Sequence, residues 1–333
     1  MKNDIFQYAT ENYRLFGLSS RPKNILYLIK NKYRKVTFFL FKEGSGLPFA
    51  TAKFTPFPRD KSEITKEFDN IILVNSKLPI ELHGTVPKPV SLARIKKFPV
   101  LFQSYIQEQP ISSEVNSPSR NKVLRKNFQL ISDWLVDFDK CMAKESVDGN
   151  KLKRMIELPV KQLVQSDSSF TEKRFESLMK YGAKGINIIP GPKHSDFWPG
   201  NIVIKNGTPR ILDWEDFGLT SLPLYDLFHF MVSYFTIMSV GLKNDEQKFK
   251  KIFFSPSKHS RMIKDIVIRH CDSMDTSPDL AELFFALYLV EFHNIRRLQE
   301  GDSYDVALRY KKFIRVFLEN RETFILGKTN IGR

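Results

Sequence analysis

His194-Ser-Asp196-Phe-Trp-Pro-Gly-Asn201-Ile-Val-Ile204, followed by Arg210-Ile-Leu-Asp213-Trp-Glu-Asp216, is the stretch that decides how this chain reads. The segment from Ile188 to Trp214 is a strand–turn–strand island between helical segments. Asp196 and Asn201 stand five residues apart on one loop and can converge on one point. Asp213 follows at the end of a strand. Asp and Asn also favour turns, so the first pair alone has a purely structural reading. The three together have a chemical one. Phosphoryl transfer needs a carboxylate that accepts the proton of an attacking hydroxyl. It also needs oxygen donors, such as an amide and a second carboxylate, for Mg²⁺, a hard ion.

Outward from this island the chain changes character. Upstream, Val36–Phe41 and Phe49–Thr55 flank the turn-rich Lys42-Glu-Gly-Ser-Gly-Leu-Pro48, a hairpin signal. A helix follows over Ser62–Val74, with Ile64, Phe68, Ile71 and Ile72 at helical spacing and Ser62 as its N-cap. Two more strands are expected at Pro87–Ala93 and Pro99–Ile106. After a polar stretch from Gln107 to Pro118, helices are expected at Lys122–Lys144, Thr171–Tyr181, Leu224–Val240, Ser257–His270, Pro278–Gln299 and Tyr304–Phe324. This order, strands then helices around a small β island, argues for an α+β fold. It divides into a β-rich N-terminal lobe over residues 1–106 and a larger, mainly helical lobe over residues 107–333.

The two motifs resemble those of the aminoglycoside phosphotransferase and choline kinase-like family, which has the two-lobed protein-kinase-like fold. The catalytic-loop pattern His-x-Asp-x-x-x-x-Asn and an apolar pair followed by Asp both occur here, in order. The resemblance implies Asp196 as catalytic base, with Asn201 and Asp213 as Mg²⁺ ligands. It implies His194 as a brace of the loop, and Asp226, in Pro223-Leu-Tyr-Asp226-Leu227, as a brace of the helix that follows. In the N-terminal lobe it implies Lys53 as the ligand of the ATP α/β-phosphates. Glu67 is the partner of Lys53, with Glu63 as the alternative. Gly44 and Gly46 would lie over the phosphates, and the backbone near Gln103 to Tyr105 would bind adenine. The departures leave every reactive group in place. Ser195 stands where the family commonly has glycine, Phe197-Trp198 replaces Leu-His, and Asp213-Trp-Glu215 is not the protein-kinase Asp-Phe-Gly. Glu215 reads equally as a water-mediated metal contact or as an ordinary ion pair.

The implied function is ATP- and Mg²⁺-dependent transfer of the γ-phosphate to a hydroxyl of a small molecule: a sugar, an aminoglycoside or an amino alcohol. Glu282, Glu291, Asp302 and Asp305 are candidate ligands for a cationic acceptor. The rival from another class is a catalytically inactive kinase fold kept for nucleotide or partner binding. The intact set of lysine, base and metal ligands opposes that rival.

Composition bounds the remaining options. The 333 residues carry a formal net charge of +15. The basic residues are scattered and carry no RNA-binding aromatic signature, which argues against a nucleic-acid partner. The 29 Phe residues are expected mostly in the core. His229 and His293 read as satisfied core histidines. Leu227–Leu242 is too short for a membrane span, and it includes His229. Together with an amino terminus lacking a signal-peptide core and only two cysteines, Cys141 and Cys271, this gives the expectation of a cytoplasmic location.

Overall fold

The structure, a computed structural model, describes residues 1–32, 35–57, 60–107, 110–112, 120–142, 149–182, 188–238, 244–301 and 305–327. The chain forms two compact units. The first comprises Met1–Pro110 and Asn201–Phe217, the second Ile111–Gly200 and Gly218–Arg333. This differs from one cut after residue 106, because the island is shared between the units.

In the first unit, helix α1 (Lys2–Glu11) precedes strands β1 (Ile25–Lys32), β2 (Lys35–Lys42) and β3 (Pro48–Phe54). Helix α2 (Lys61–Lys77) then leads to β4 (Pro89–Ile95) and β5 (Phe98–Ser104). The strands form one antiparallel sheet in the order β1-β2-β3-β5-β4. Side chains alternate across a strand. Ala50, Ala52 and Phe54 therefore join Phe38, Leu40, Val100 and Phe102 on one face, sealed by Ile5 and Ala9 of α1. Thr51 and Lys53 are left for the other face. α2 buries Ile64, Glu67, Ile71 and Val74, a single stripe in which one member is an acid. Asp60, rather than Ser62, stands at its N-cap, without a side-chain cap bond.

The island contributes a further hairpin to this unit, β7 (Ile202–Lys205) with β8 (Thr208–Ile211). Pro110 bridges Val203, and the Ile211 amide donates to the Thr85 carbonyl at 2.7 Å. These backbone bonds, made to residues before position 111, are why the segment groups with the first unit.

The second unit is helical: α3 (Arg120–Met142), α4 (Gly149–Ser166), α5 (Glu176–Gly182), α6 (Tyr225–Met238), α7 (Asp245–Phe253), α8 (Lys258–Ser273), α9 (Ala281–Glu300) and α10 (Asp305–Glu319). Strand β6 (Gly191–Lys193) pairs with β9 (Gly218–Ser221). Aromatic rings fill its core, as expected of so many phenylalanines. Phe228 meets Phe285 edge-on, and Phe249 stacks on Phe313 with centroids 4.3 Å apart. His229 shares a hydrogen bond with the Tyr288 hydroxyl, and His293 bonds the Ala307 carbonyl, so both are core histidines with partners. No described helix is long and apolar enough to cross a membrane. Cys141 and Cys271 are both thiols, and the Cys141 Sγ–H donates to the Phe138 carbonyl at 3.2 Å.

Candidate active site

The metal-binding candidates sit at the open end of the β7–β8 hairpin. Asn201 immediately precedes β7 and is buried. Its carbonyl accepts the Leu212 amide at 2.9 Å, so Asn201 and the residue before Asp213 lie side by side across the hairpin. Asp213 has φ +66°, a left-handed conformation costly for a residue other than glycine. Such strain persists where the surroundings dictate it, and it clusters at functional sites. The surroundings here are well defined. Asn70 of α2 donates to the Trp214 and Glu215 carbonyls at 2.9 and 3.2 Å. The fully buried Trp214 ring bonds the Ile211 carbonyl.

Lys53 joins the two halves of this unit's chemistry. Its Nζ lies 2.6 Å from Glu67 Oε1 and 2.9 Å from Asp213 Oδ1. Burial pushes the ammonium toward its neutral form, but the facing Asp213 and Glu67 carboxylates outweigh this and hold its pKa above the ordinary lysine value. Burial in turn raises the Glu67 carboxyl, with Lys53 opposing. Glu63 is not the partner. It is half-exposed and lies 4.0 Å from Lys35, which also pairs with Glu215. The bland reading of Glu215 as an ion-paired residue therefore has a structural basis. Its carboxylate also lies in a group with Glu67 and Asp213, one oxygen of each within 4.8 Å of the others. Glu67 Oε2 is buried without a hydrogen-bond partner among the described residues. An all-oxygen donor set with an orphaned carboxylate oxygen suits a hard divalent cation, so these residues fit Mg²⁺.

The other N-terminal candidates divide. Gln103 is buried in β5 opposite Thr51, on the same strand face as Lys53, and Tyr105 leaves β5 with its ring against Phe39. Gly44 and Gly46 lie in the β2–β3 turn, where Gly44 has φ +77°. That turn is not brought to Lys53. It joins β3 at Pro48, and five residues at ~3.3 Å each carry the strand away from it before Lys53 is reached. The register pairs Lys53 with Thr37, near the start of β2. At the Lys53 end of the sheet β1 gives way to β2, and residues 33–34 between them lie outside the described residues.

In the second unit the base candidate is held by its neighbours. Asp226, in the first turn of α6, accepts the His194 amide at 2.5 Å and the Ser195 amide at 3.2 Å. It braces the loop rather than its own helix. Ser195 has φ +71°, so a residue with a Cβ occupies a conformation that glycine adopts freely. The loop then turns over Trp198, whose ring lies so close above Gly200 that a Cβ there would sit 2.2 Å from it. Trp198 thus has a packing role that fixes glycine at position 200. Buried His194 sets its ring edge-on to Phe197, which stacks on Trp134. Asp196, partly exposed, is met by Arg296 of α9, with Nη2 to Oδ1 at 2.8 Å.

Sequence reasoning missed Arg296 and Asn70. Arg296 pairs with a residue 100 positions away, and an Arg-Arg step on an amphipathic helix looks like an ordinary polar edge.

Burial pushes the Asp226 carboxyl up to about 7, with nearby Asp139 adding to the rise and the two amide donors opposing it. The folded protein therefore holds this proton more tightly than the unfolded chain. Asp226 favours the folded state most below about pH 4 and loses that contribution as the pH climbs through about 7. Asp226→Asn should flatten the decline in unfolding free energy from about pH 5 to about pH 8. Denaturant titrations across that range check this, and an unaltered slope contradicts it. Asp139, also raised by burial but facing His270 at 3.3 Å, leaves a residual slope.

No protein-family model and no curated protein sequence matches the chain. Solved structures do. A candidate aminoglycoside phosphotransferase of Ralstonia eutropha JMP134 aligns over 97% of this chain and 98% of its own, with a TM-score of 0.57 and 13% identity. Amicoumacin kinase hAmiN, in complex with AMP-PNP, Ca²⁺ and Ami, aligns over 92% of this chain and 90% of its own, at TM-score 0.53 and 13% identity. A thermostable variant of aminoglycoside phosphotransferase APH(4)-Ia, with ADP and hygromycin B, aligns over 94% and 98%, at TM-score 0.51 and 13% identity. The chain has the α+β fold of the protein-kinase-like small-molecule phosphotransferases.

Proposed function

We propose that this chain is an ATP- and Mg²⁺-dependent phosphotransferase acting on a hydroxyl group of a small molecule. The observation that carries the reading is Lys53 held between Glu67 and Asp213. A largely buried lysine braced by a fully buried acid from a neighbouring helix and facing a partly exposed acid on a strained turn has few purely structural reasons to exist, because withdrawing charges from water is costly. Kinase-fold chemistry uses that arrangement to position phosphates.

In this reading Lys53 holds the α/β-phosphates, and Asp213 with Asn201 ligates Mg²⁺. Backbone groups around Gln103 to Tyr105 receive the adenine. Bound Mg-ATP supplies the phosphoryl group and the positive charge that offsets its oxygens. Asp196 accepts a hydrogen bond from the acceptor hydroxyl, orients it for in-line attack and takes its proton. His194, Ser195 and Asp226 hold Asp196 still, which is most of what such an enzyme contributes.

Thermal unfolding of the full chain with and without Mg-ATP tests nucleotide binding. At 100 times the dissociation constant the stabilisation should approach about 2.7 kcal/mol, and it should vanish with EDTA. No shift at millimolar Mg-ATP contradicts the proposal. A shift with no ADP formation, whatever the acceptor, favours the inactive nucleotide-binding module instead.

A further inference from the structure

Among the described residues, Glu282, Glu291 and Asp305 are already engaged elsewhere rather than arranged to receive a cationic acceptor. Glu291 is ion-paired with Lys193, whose ammonium also lies 4.8 Å from the Tyr225 ring centroid. Glu282 is paired with Arg321. Asp305 stands in the first turn of α10, where a carboxylate offsets the helix N-terminus. Asp302 lies outside the described residues. A cation of α9, Arg296, touches the proposed base. Arg296 packs over the Phe292 ring at 5.0 Å and reaches Asp196 at 2.8 Å, with both side chains still partly open to solvent. Tyr225 lies within electrostatic reach of Arg296, and its hydroxyl is buried without a partner among the described residues.

An ammonium-rich acceptor brought to Asp196 would meet the guanidinium first. A guanidinium, by contrast, offers five N–H donors in a planar fork and can hold two oxyanions at once. Resting on the reading of Asp196 as the base, we infer that the acceptor carries an oxyanionic group, carboxylate or phosphate, within a few atoms of its reactive hydroxyl. Arg296 is the residue that receives it. The guanidinium then bridges the acid of the acceptor and the carboxylate of Asp196, which places the hydroxyl beside the base. Phosphoryl transfer itself is unchanged. The acceptor oxygen bonds to the γ-phosphorus, ADP leaves, and the hydroxyl proton passes to Asp196.

Four three-carbon compounds that share a vicinal diol and differ at the third carbon test this on the full chain: D-glycerate, glycerol 3-phosphate, glycerol and 3-amino-1,2-propanediol. Their dissociation constants are read by calorimetry or ligand-observed NMR in the presence of Mg²⁺ and AMP-PNP. One or both anions should bind at least tenfold more tightly than glycerol and the aminodiol, and which anion does so separates carboxylate from phosphate. Arg296→Ala should reduce the preferred anion to the level of glycerol. Arg296→Lys should retain part of the preference and guards against a loss of fold. Asp196→Asn should tighten anion binding, because the guanidinium loses its internal carboxylate. Equal binding of all four, preference for the aminodiol, or anion binding that survives Arg296→Ala (the mark of the overall +15 charge) overturns the inference. Failure of the chain to bind Mg-ATP sinks the kinase reading and the inference with it, whereas Mg-ATP binding without an Arg296-dependent anion preference sinks the inference alone, so the two failures are distinguishable.

Discussion

Replacing Asp196 with asparagine should lower phosphoryl transfer by about 10²–10⁴-fold while leaving Mg-ATP affinity within about threefold. The amide has the shape of the carboxylate but cannot take the hydroxyl proton. The loop should keep its form. Its bends are fixed by Asp226 on the amides of His194 and Ser195, and by Trp198 over Gly200, none of which involves the Asp196 side chain. Arg296 loses the charge of its partner, but the asparagine Oδ1 can still accept its hydrogen bond, and its side chain is 17% exposed so water can solvate the guanidinium. Separate measurement of kcat and of the nucleotide dissociation constant checks this. Transfer within tenfold of the native rate would remove Asp196 from the mechanism.

Lys53→Met should have the largest effect on stability and also abolish productive nucleotide binding. The substitution keeps the volume of the stem but leaves Glu67, with no exposed surface, facing Asp213 without the cation that bonds them both. Breaking a buried ion pair from one side costs about 3–5 kcal/mol, because the stranded charge has neither water nor a partner. Burial already raises the Glu67 carboxyl, so this acid should take up a proton and limit the cost. The double variant Lys53→Met/Glu67→Gln should therefore recover more than half of the stability while remaining inactive. Denaturant unfolding of the four members of the cycle gives the coupling directly. Independent, additive losses would mean that Lys53 and Glu67 are not the interacting pair.

The same residues show what could be read from the chain. Lys53 and Glu67 were legible because strand and helix periods are simple. Lys53 falls between Ala52 and Phe54 and must face away from them, and Glu67 falls in an apolar stripe of α2. Glu63 remained an alternative because one helical turn separates it from Glu67. Only the contact with Lys35 and the exposure of Glu63 decide between them. The loop motifs were legible from their spacing together with the resemblance to the phosphotransferase family, since spacing alone also allowed a structural turn pair. The Gly44–Gly46 turn was misleading, since two glycines in a hairpin signal a turn without saying which end of the sheet it occupies. β1 was missed because its apolar first half, Ile25–Ile29, runs into the basic Lys30-Asn-Lys32. α4 was missed because Pro159 lies in its interior, where proline removes a backbone bond; Asn294 donates to the Pro159 carbonyl. α7 is short and charged, with its N-terminus set by Asn244 rather than by a long apolar period. The grouping of Asn201–Phe217 with the first unit follows from backbone bonds to Thr85 and Pro110, which leave no trace in local pattern.

Phosphorus NMR of the full chain incubated with Mg-ATP and a panel of hydroxylated acids, sugars and amino alcohols tests the central claim most directly. A phosphomonoester resonance should grow in step with ADP for at least one acceptor. It should need Mg²⁺ and disappear in Asp196→Asn. ATP that stays intact with every acceptor, or yields only ADP and free phosphate at the same rate in native and Asp196→Asn protein, contradicts it.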